Sequence, residues 1–494
     1  MSILATKSIE RIRQEQLGGA PEGTLQRVLG PTQLITLGIG AIIGTGIFVF
    51  TGQAAAANAG PAIVISMVLA GVVSLLAALC YSEFAASVPV AGSAYVYAYA
   101  TLGELIAWVI GWDLILEYAL GAATVAVGWS GTLVTLLGQF GLSFPAAFSA
   151  APGTAVAVAG GDPVIAVFNL PAVLVTIAVT ALLIVGISES ASVNSVIVVI
   201  KVGVVLTVIC AGAFFITPAN YHPFIPENTG TFGEYGWSGI MRGAAIIFFA
   251  YLGFDAVSTS AQEAKNPQRD MPIGIIGSLV VCTTLYVLIS GVIVGLVPYK
   301  AMLNQPAPVV VAIEAAATRA GGTIWAPIMD TLKVLVTIGT LAGLSSVMVV
   351  MMLGQPRIFL SMSRDGLLPQ WAGRVHPRFR TPHISTMVTG VVVAIAAGLT
   401  PIATLGALVN IGTLMAFLIV SIAIIVLRRT RPDLPRPFKV PFVPVLPILS
   451  ALVNLGLMLS LPWATWERLI VWMVLGVAFY FAYGYRRSRL RATT

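Results

Sequence analysis

Apolar runs of about 20 residues recur from one end of this chain to the other, each long enough to cross about 30 Å of hydrocarbon. Only 9% of the 494 residues are charged and 58% are hydrophobic. Soluble domains carry about 25% charged residues, so a chain like this one cannot solvate a globular surface. Twelve helical spans are predicted, near 33–57, 61–87, 104–137, 169–187, 194–216, 238–261, 272–297, 326–360, 383–399, 403–427, 444–461 and 467–485. The third and eighth exceed one bilayer thickness and must tilt or extend past it. The fold class is an all-α membrane protein of twelve transmembrane helices.

About 30 residues, KSIERIRQEQ among them, precede the first run. They do not fit the short basic start and apolar core of a cleaved signal, so the first helix is expected to be retained. Of the 26 Lys and Arg, 20 fall within 7–27, 265–269, 357–380, 428–439 and 486–491, all on one side if the N-terminus is cytoplasmic. Lys300, Arg319 and Arg468 fall in loops on the other side. The positive-inside rule then puts both termini in the cytoplasm. These basic residues set topology and meet lipid headgroups; no fold that reads a nucleic-acid groove is present, so nucleic acid is not an expected partner. Cys80, Cys210 and Cys282 lack CxxC spacing, and His222, His376 and His383 make no ligand pair on a helix face, so neither a disulfide framework, a metal nor another cofactor is expected.

The first span contains LGIGAIIGTGIF, residues 37–48, with four glycines in twelve residues. The sixth contains GAAIIFFAYLGFDAVSTSAQE, with Gly253 among bulky aromatics. Gly-interrupted helices at positions 1 and 6 are what a five-plus-five inverted repeat predicts. The same glycines equally serve as a small-residue packing surface, and spacing alone leaves both readings open. The repeat reading divides the chain into a cytoplasmic segment 1–32, repeats 33–216 and 238–428, a helix pair 444–485 outside the repeat, and a basic tail 486–494. The glycine pattern is no dinucleotide fingerprint, because no strand or βαβ unit surrounds it.

Four ordered motifs are more specific: GIGAIIGTGIF; YSEFAASVPVAGSAYVYAYATLGELIAWVIGWDLILEY through spans 2 and 3; FFAYLGFDAVSTSAQEAKNPQRDMPIGI across spans 6 and 7; and SRDGLLP after span 8. Over residues 28–485 the sequence resembles the amino acid–polyamine–organocation superfamily, specifically the cationic amino acid transporter family and its twelve-helix bacterial relatives.

The resemblance implies a zwitterion site at the two breaks. Unwinding at Gly44, Thr45 and Gly46 frees N–H groups at the start of an outer half-helix, where about half a positive charge suits a carboxylate. Freed carbonyls at Ile42, and from span 6 at Phe249, Ala250 and Leu252, suit the α-ammonium. Lys201, about two turns into span 5, costs roughly 2.5–3.5 kcal/mol at membrane depth. Its stem can snorkel to the interface. The resemblance instead places it where sodium-coupled relatives hold a cation, as the proton-coupling group.

Glu117 and Asp113 are four apart and share a helix face; Glu117 marks a pathway or a structural hydrogen bond. Asp255 either latches a gate or caps the inner half of span 6. Asp330 and Lys333 read as an ion pair along span 8. Phe249 is a substrate lid or simple packing. Met351 matches the family position that limits room for the substrate side chain, which favours small or medium neutral amino acids. The expected function is proton-coupled symport of such amino acids across the cytoplasmic membrane by alternating access, with amino acid, protons and lipids as partners. An amino acid or polyamine exchanger of the same fold is the alternative. A channel needs a repeated carbonyl or charge ring and an enzyme a catalytic motif; neither pattern is visible.

Overall fold

The computed structural model describes residues 3–12, 29–88, 93–158, 162–186, 191–259, 261, 263–377, 379 and 381–492. Arg13, Arg27, Arg378 and Arg380, which contribute to the predicted charge bias, lie outside these residues. Helical segments cover every apolar run, with boundaries within a few residues of those expected. Among the described residues, seven helices are long and apolar enough to cross a membrane, and four more are apolar but only 10–17 residues long.

The first run is divided. Helix α1 (Pro31–Ile42) opens on a proline in its first turn, with the Gly30 N–H bonded to the Gln33 amide oxygen at 3.0 Å. It ends at Ile43, whose backbone is extended (φ −71°, ψ 104°). Helical turns resume over 46–59, and the chain reverses at Gly60 into α2 (Ile63–Ser87). The break therefore falls at Ile43–Gly44, at the leading edge of the expected Gly44–Gly46 segment.

Beyond α2 come α3 (Ser93–Thr101), α4 (Glu104–Gln139), α5 (Leu170–Val185) and α6 (Ala191–Ala213). The sixth run is divided like the first, into α7 (Gly236–Ile247), a tight turn over Phe248–Tyr251, and α8 (Phe254–Thr259). Gly253 takes φ +105° between them, a region that a residue with a Cβ rarely occupies. The chain continues through α9 (Pro267–Leu296), α10 (Pro308–Ala320), α11 (Ala326–Arg364), α12 (His383–Leu399), α13 (Ile402–Thr430), α14 (Val445–Ser460) and α15 (Trp463–Phe479).

Two elements were not expected from hydropathy, α3 and α10, because neither is a long apolar run. The loop after α4 also carries a two-stranded antiparallel ribbon, β1 (Ala155–Val156) with β2 (Val164–Ile165). The core lies where α4 packs on α11 and α13, and where α9 packs on α1 and α2.

Candidate functional site

Helix ends leave orphan carbonyls, and those of α1 can be traced one by one. The Gly40 carbonyl accepts from Lys201 Nζ at 2.6 Å, and the Ile42 carbonyl accepts from the Tyr286 hydroxyl at 2.9 Å. The Ala41 carbonyl faces Gly253, where an added Cβ would come within 2.8 Å of it. Lys201 is fully buried. It reaches α1 past α11, its stem lying 3.3 Å from where a Cβ on Gly343 would stand. A cation at a helix C-terminus is the favourable end of the helix dipole. Lys201 does not snorkel.

The two breaks meet backbone to backbone. A Cβ on Gly46 would stand 2.1 Å from the Ala250 Cα. Only glycine permits that approach, so in this structure span 6, not open space, occupies that side of Gly46. Gly44 faces the Val347 side chain of α11, 3.1 Å from an added Cβ. Thr45 packs against Gly128 of α4; its hydroxyl is buried with no hydrogen-bond partner among the described residues.

Glu117, Leu252, Asp255 and Met351 line one small cavity together with Ala41 and Tyr118. It holds about 20 Å³, room for roughly one water molecule and far less than an amino acid. Met351 closes it toward α4, its sulfur 2.8 Å from an added Cβ on Gly121. Asp255 lies in the first turn of α8 and lines the same cavity as Glu117.

Phe249 stands apart from this cavity. It tilts against Phe50 at 5.1 Å between ring centres, in an apolar cluster with Leu252 and Val409. Asp113 is also apart, fully buried with its carboxyl against Gly412 of α13 and without a hydrogen-bond partner among the described residues.

One expectation fails. Asp330 and Lys333 form no ion pair: Asp330 is exposed and Lys333 half-exposed, and an exposed pair gains too little to hold two long side chains together. Other residues escaped the sequence reading. Tyr286 and Tyr118 were hidden because a single tyrosine in an apolar run reads as packing; the carbonyl that the Tyr286 hydroxyl meets and the cavity that Tyr118 lines are visible only in three dimensions. Ala41 and Val347 carry no polar signal at all. Among the described residues no group of three His, Cys, Asp or Glu is placed to hold a metal ion.

Comparison with known proteins bears on this arrangement. A family model described as "Amino acid permease" matches residues 29–479. The branched-chain amino acid permease BcaP of Bacillus subtilis is 46% identical, covering 99% of both chains. The methylthioribose transporter of the same organism is 45% identical over 94% of this chain and 95% of its own. The vacuolar cationic amino acid transporter 4 of Arabidopsis thaliana is 36% identical over 87% of this chain and 68% of its own. With two interrupted helices meeting at their breaks inside a multi-pass apolar bundle, the chain belongs to the amino acid permease family of the amino acid–polyamine–organocation superfamily and is a membrane transporter, not an enzyme.

Proposed function

We propose that this protein is a proton-coupled symporter of small or medium neutral amino acids, branched-chain aliphatic ones foremost, in the cytoplasmic membrane with both termini cytoplasmic. The observation that carries the reading is the meeting of the two helix breaks at Gly46 and Ala250. Interrupted helices put a positive end and a set of free carbonyls at one point, as a zwitterion requires. The amides of Gly44 and Gly46 and the unpartnered Thr45 hydroxyl then take the carboxylate. The carbonyls of Ala250 and Leu252, with Ala41 added and Ile42 through the lone pair that Tyr286 leaves open, take the ammonium. Phe249, packed on Phe50, covers the site, and Met351 bounds the side-chain end. The small cavity corresponds to a closed state that must open before substrate enters.

The pattern of helix packing supports twelve spans with a five-plus-five repeat. Under a two-fold relation, spans 2 with 7, 3 with 8 and 4 with 9 map onto themselves, and each of these pairs is in contact (α2 with α9, α4 with α11, α5 with α12). The contact of span 1 with 7 matches that of 6 with 2, and the contact of 3 with 10 matches that of 8 with 5. Both chain ends meet at Asp365: Lys7 Nζ reaches its carboxylate at 2.5 Å and the Arg489 N–H its carbonyl at 3.0 Å. That supports one face for both termini.

The test is uptake of labelled leucine into substrate-free proteoliposomes under an imposed pH gradient without sodium. Symport predicts accumulation that collapses with the gradient. Uptake that needs internal amino acid instead identifies an exchanger. A second reading has its own support, since identity to a methylthioribose transporter is nearly as high as to the branched-chain permease. Methylthioribose carries no carboxylate, so displacement of leucine by it, and not by valine, would favour that reading.

A further inference from the structure

The entry of α9 carries a feature that transport does not use. Arg269 stands in its first turn, followed one turn later by Pro272, Ile273 and Ile276, and the loop from α13 to α14 brings Pro437 and Phe438 opposite them. Between the two lies an open cavity of about 620 Å³, with a cationic end and apolar walls. It is on the face that carries the N-terminal segment. The Lys265 N–H donates to the Leu29 carbonyl at 2.8 Å, and Arg431 of the same loop pairs with Glu10 at 3.3 Å.

The loop wall is fixed in place. Glu83 of α2, fully buried, accepts two hydrogen bonds from Arg428, at 2.9 and 2.6 Å, and one from the Val440 N–H at 2.7 Å. Arg436 lies 3.4 Å from the same carboxylate. Arg428, in the last turn of α13, and Arg436 of the loop are therefore both engaged by this one carboxylate. Arg269 is not: its side chain is exposed and makes no ion pair or hydrogen bond among the described residues. The neighbouring Asp270 is buried and turned to the Asn266 N–H at 3.1 Å. What remains is one uncompensated guanidinium at the mouth of an apolar groove, where α9 enters its hydrophobic run. Basic pockets between helices at a membrane surface bind anionic headgroups, and the guanidinium fork matches phosphate geometry.

We propose that this groove holds a glycerophospholipid of net negative charge from the surrounding leaflet, its phosphate on Arg269 and an acyl chain along Pro272, Ile273 and Ile276 beneath Phe438. The site is independent of the substrate cavity.

The experiment is native mass spectrometry of the delipidated full-length protein with phosphatidylglycerol, phosphatidylcholine or soluble glycerol phosphate. Phosphatidylglycerol should be retained about tenfold better than phosphatidylcholine. Arg269→Gln should remove that preference, and Ile273→Trp, which fills the groove, should remove retention of both lipids. Leucine-induced thermal stabilisation should be unchanged in both variants, which verifies folding. Equal retention of the two lipids by the parent, or undiminished preference in Arg269→Gln, overturns the proposal. So does displacement of the lipid by glycerol phosphate at matched concentration, which would make the site one for a free anion.

Discussion

Lys201 donates its ammonium proton to the carbonyl of Gly40 across 2.6 Å, joining α6 to the last turn of α1 with no water-exposed atom between them. The bond is charge-assisted while the lysine is protonated and weaker when a neutral amine donates it, so under the proposed coupling role losing the proton loosens α1 from α6 and shifts the balance between two access states. A gradient does work on such a system only if the two states differ in proton affinity. Lys201→Ala should keep measurable amino acid binding and lose accumulation driven by a pH gradient. Lys201→Arg should lose it as well, because guanidinium stays protonated at any physiological pH. Calorimetry paired with proteoliposome uptake checks both. Full gradient-driven accumulation in the alanine variant would remove Lys201 from the coupling mechanism.

Gly46 and Ala250 give a sharper steric prediction. A methyl group on Gly46 would overlap the span 6 backbone, 2.1 Å from the Ala250 Cα. Backbone cannot swing aside as a side-chain tip can, so the spans must part. Gly46→Ala should abolish uptake and lower the melting temperature by several degrees, in line with overpacking costs of about 1–3 kcal/mol. Gly203→Ala is the control, since nothing lies within 4 Å of its added Cβ. It should transport normally and melt no lower, as alanine is the better helix former by about 1 kcal/mol.

These two sites differ in how far the sequence revealed them. The apolar runs were legible because burying a span in hydrocarbon leaves little freedom in composition. Glycine density draws attention to Gly44–Gly46 and Gly253, but spacing alone leaves a helix break and a small-residue packing surface equally open, and it is the family resemblance that favours the break. The partner of Gly46 was not legible, because Ala250 is a featureless residue in a hydrophobic stretch and its role is backbone contact. Lys201 declared itself by charge, whereas its acceptor, a carbonyl, is common to every residue and so cannot be read from side chains. Asp330 and Lys333 show the reverse error: spacing of three made a pair on paper, while exposure removed the reason to form it.

Met351 lines one cavity with Glu117 and Asp255, so in the proposed site its thioether stands between the substrate side chain and two acids. Met351→Ser should enlarge the cavity and bring that acidic surface into reach. Affinity for lysine or arginine relative to alanine should rise on the order of tenfold, about 1.4 kcal/mol. A thermal-shift series across amino acids reads the preference directly, since binding stabilises the folded state. An unchanged order would assign the size limit to another residue, with Tyr118 the next candidate on the same wall.

Lys7 and Asp365 offer a prediction remote from the substrate. Their ion pair, at 2.5 Å, is largely buried, with side chains 8% and 10% exposed, and the Tyr95 hydroxyl donates to the second carboxylate oxygen at 2.6 Å. The pair fastens the N-terminal segment over the end of α11, and the Lys7 N–H adds a bond to the Tyr99 carbonyl at 3.0 Å. Removing one partner of a buried pair leaves an uncompensated charge, typically a loss of about 3–5 kcal/mol, whereas removing both charges together is often nearly neutral. Lys7→Met should therefore lower the melting temperature markedly and weaken closure of this face. Adding Asp365→Asn to it should restore most of the stability, because an amide tolerates burial beside Tyr95 where a lone carboxylate does not. The readout is a double-mutant cycle in melting temperature, with leucine uptake measured in all four proteins. Additive losses would mean that Lys7 and Asp365 act independently and that the N-terminal segment is held by its backbone hydrogen bonds and its apolar contacts through Ile9 and Ile12.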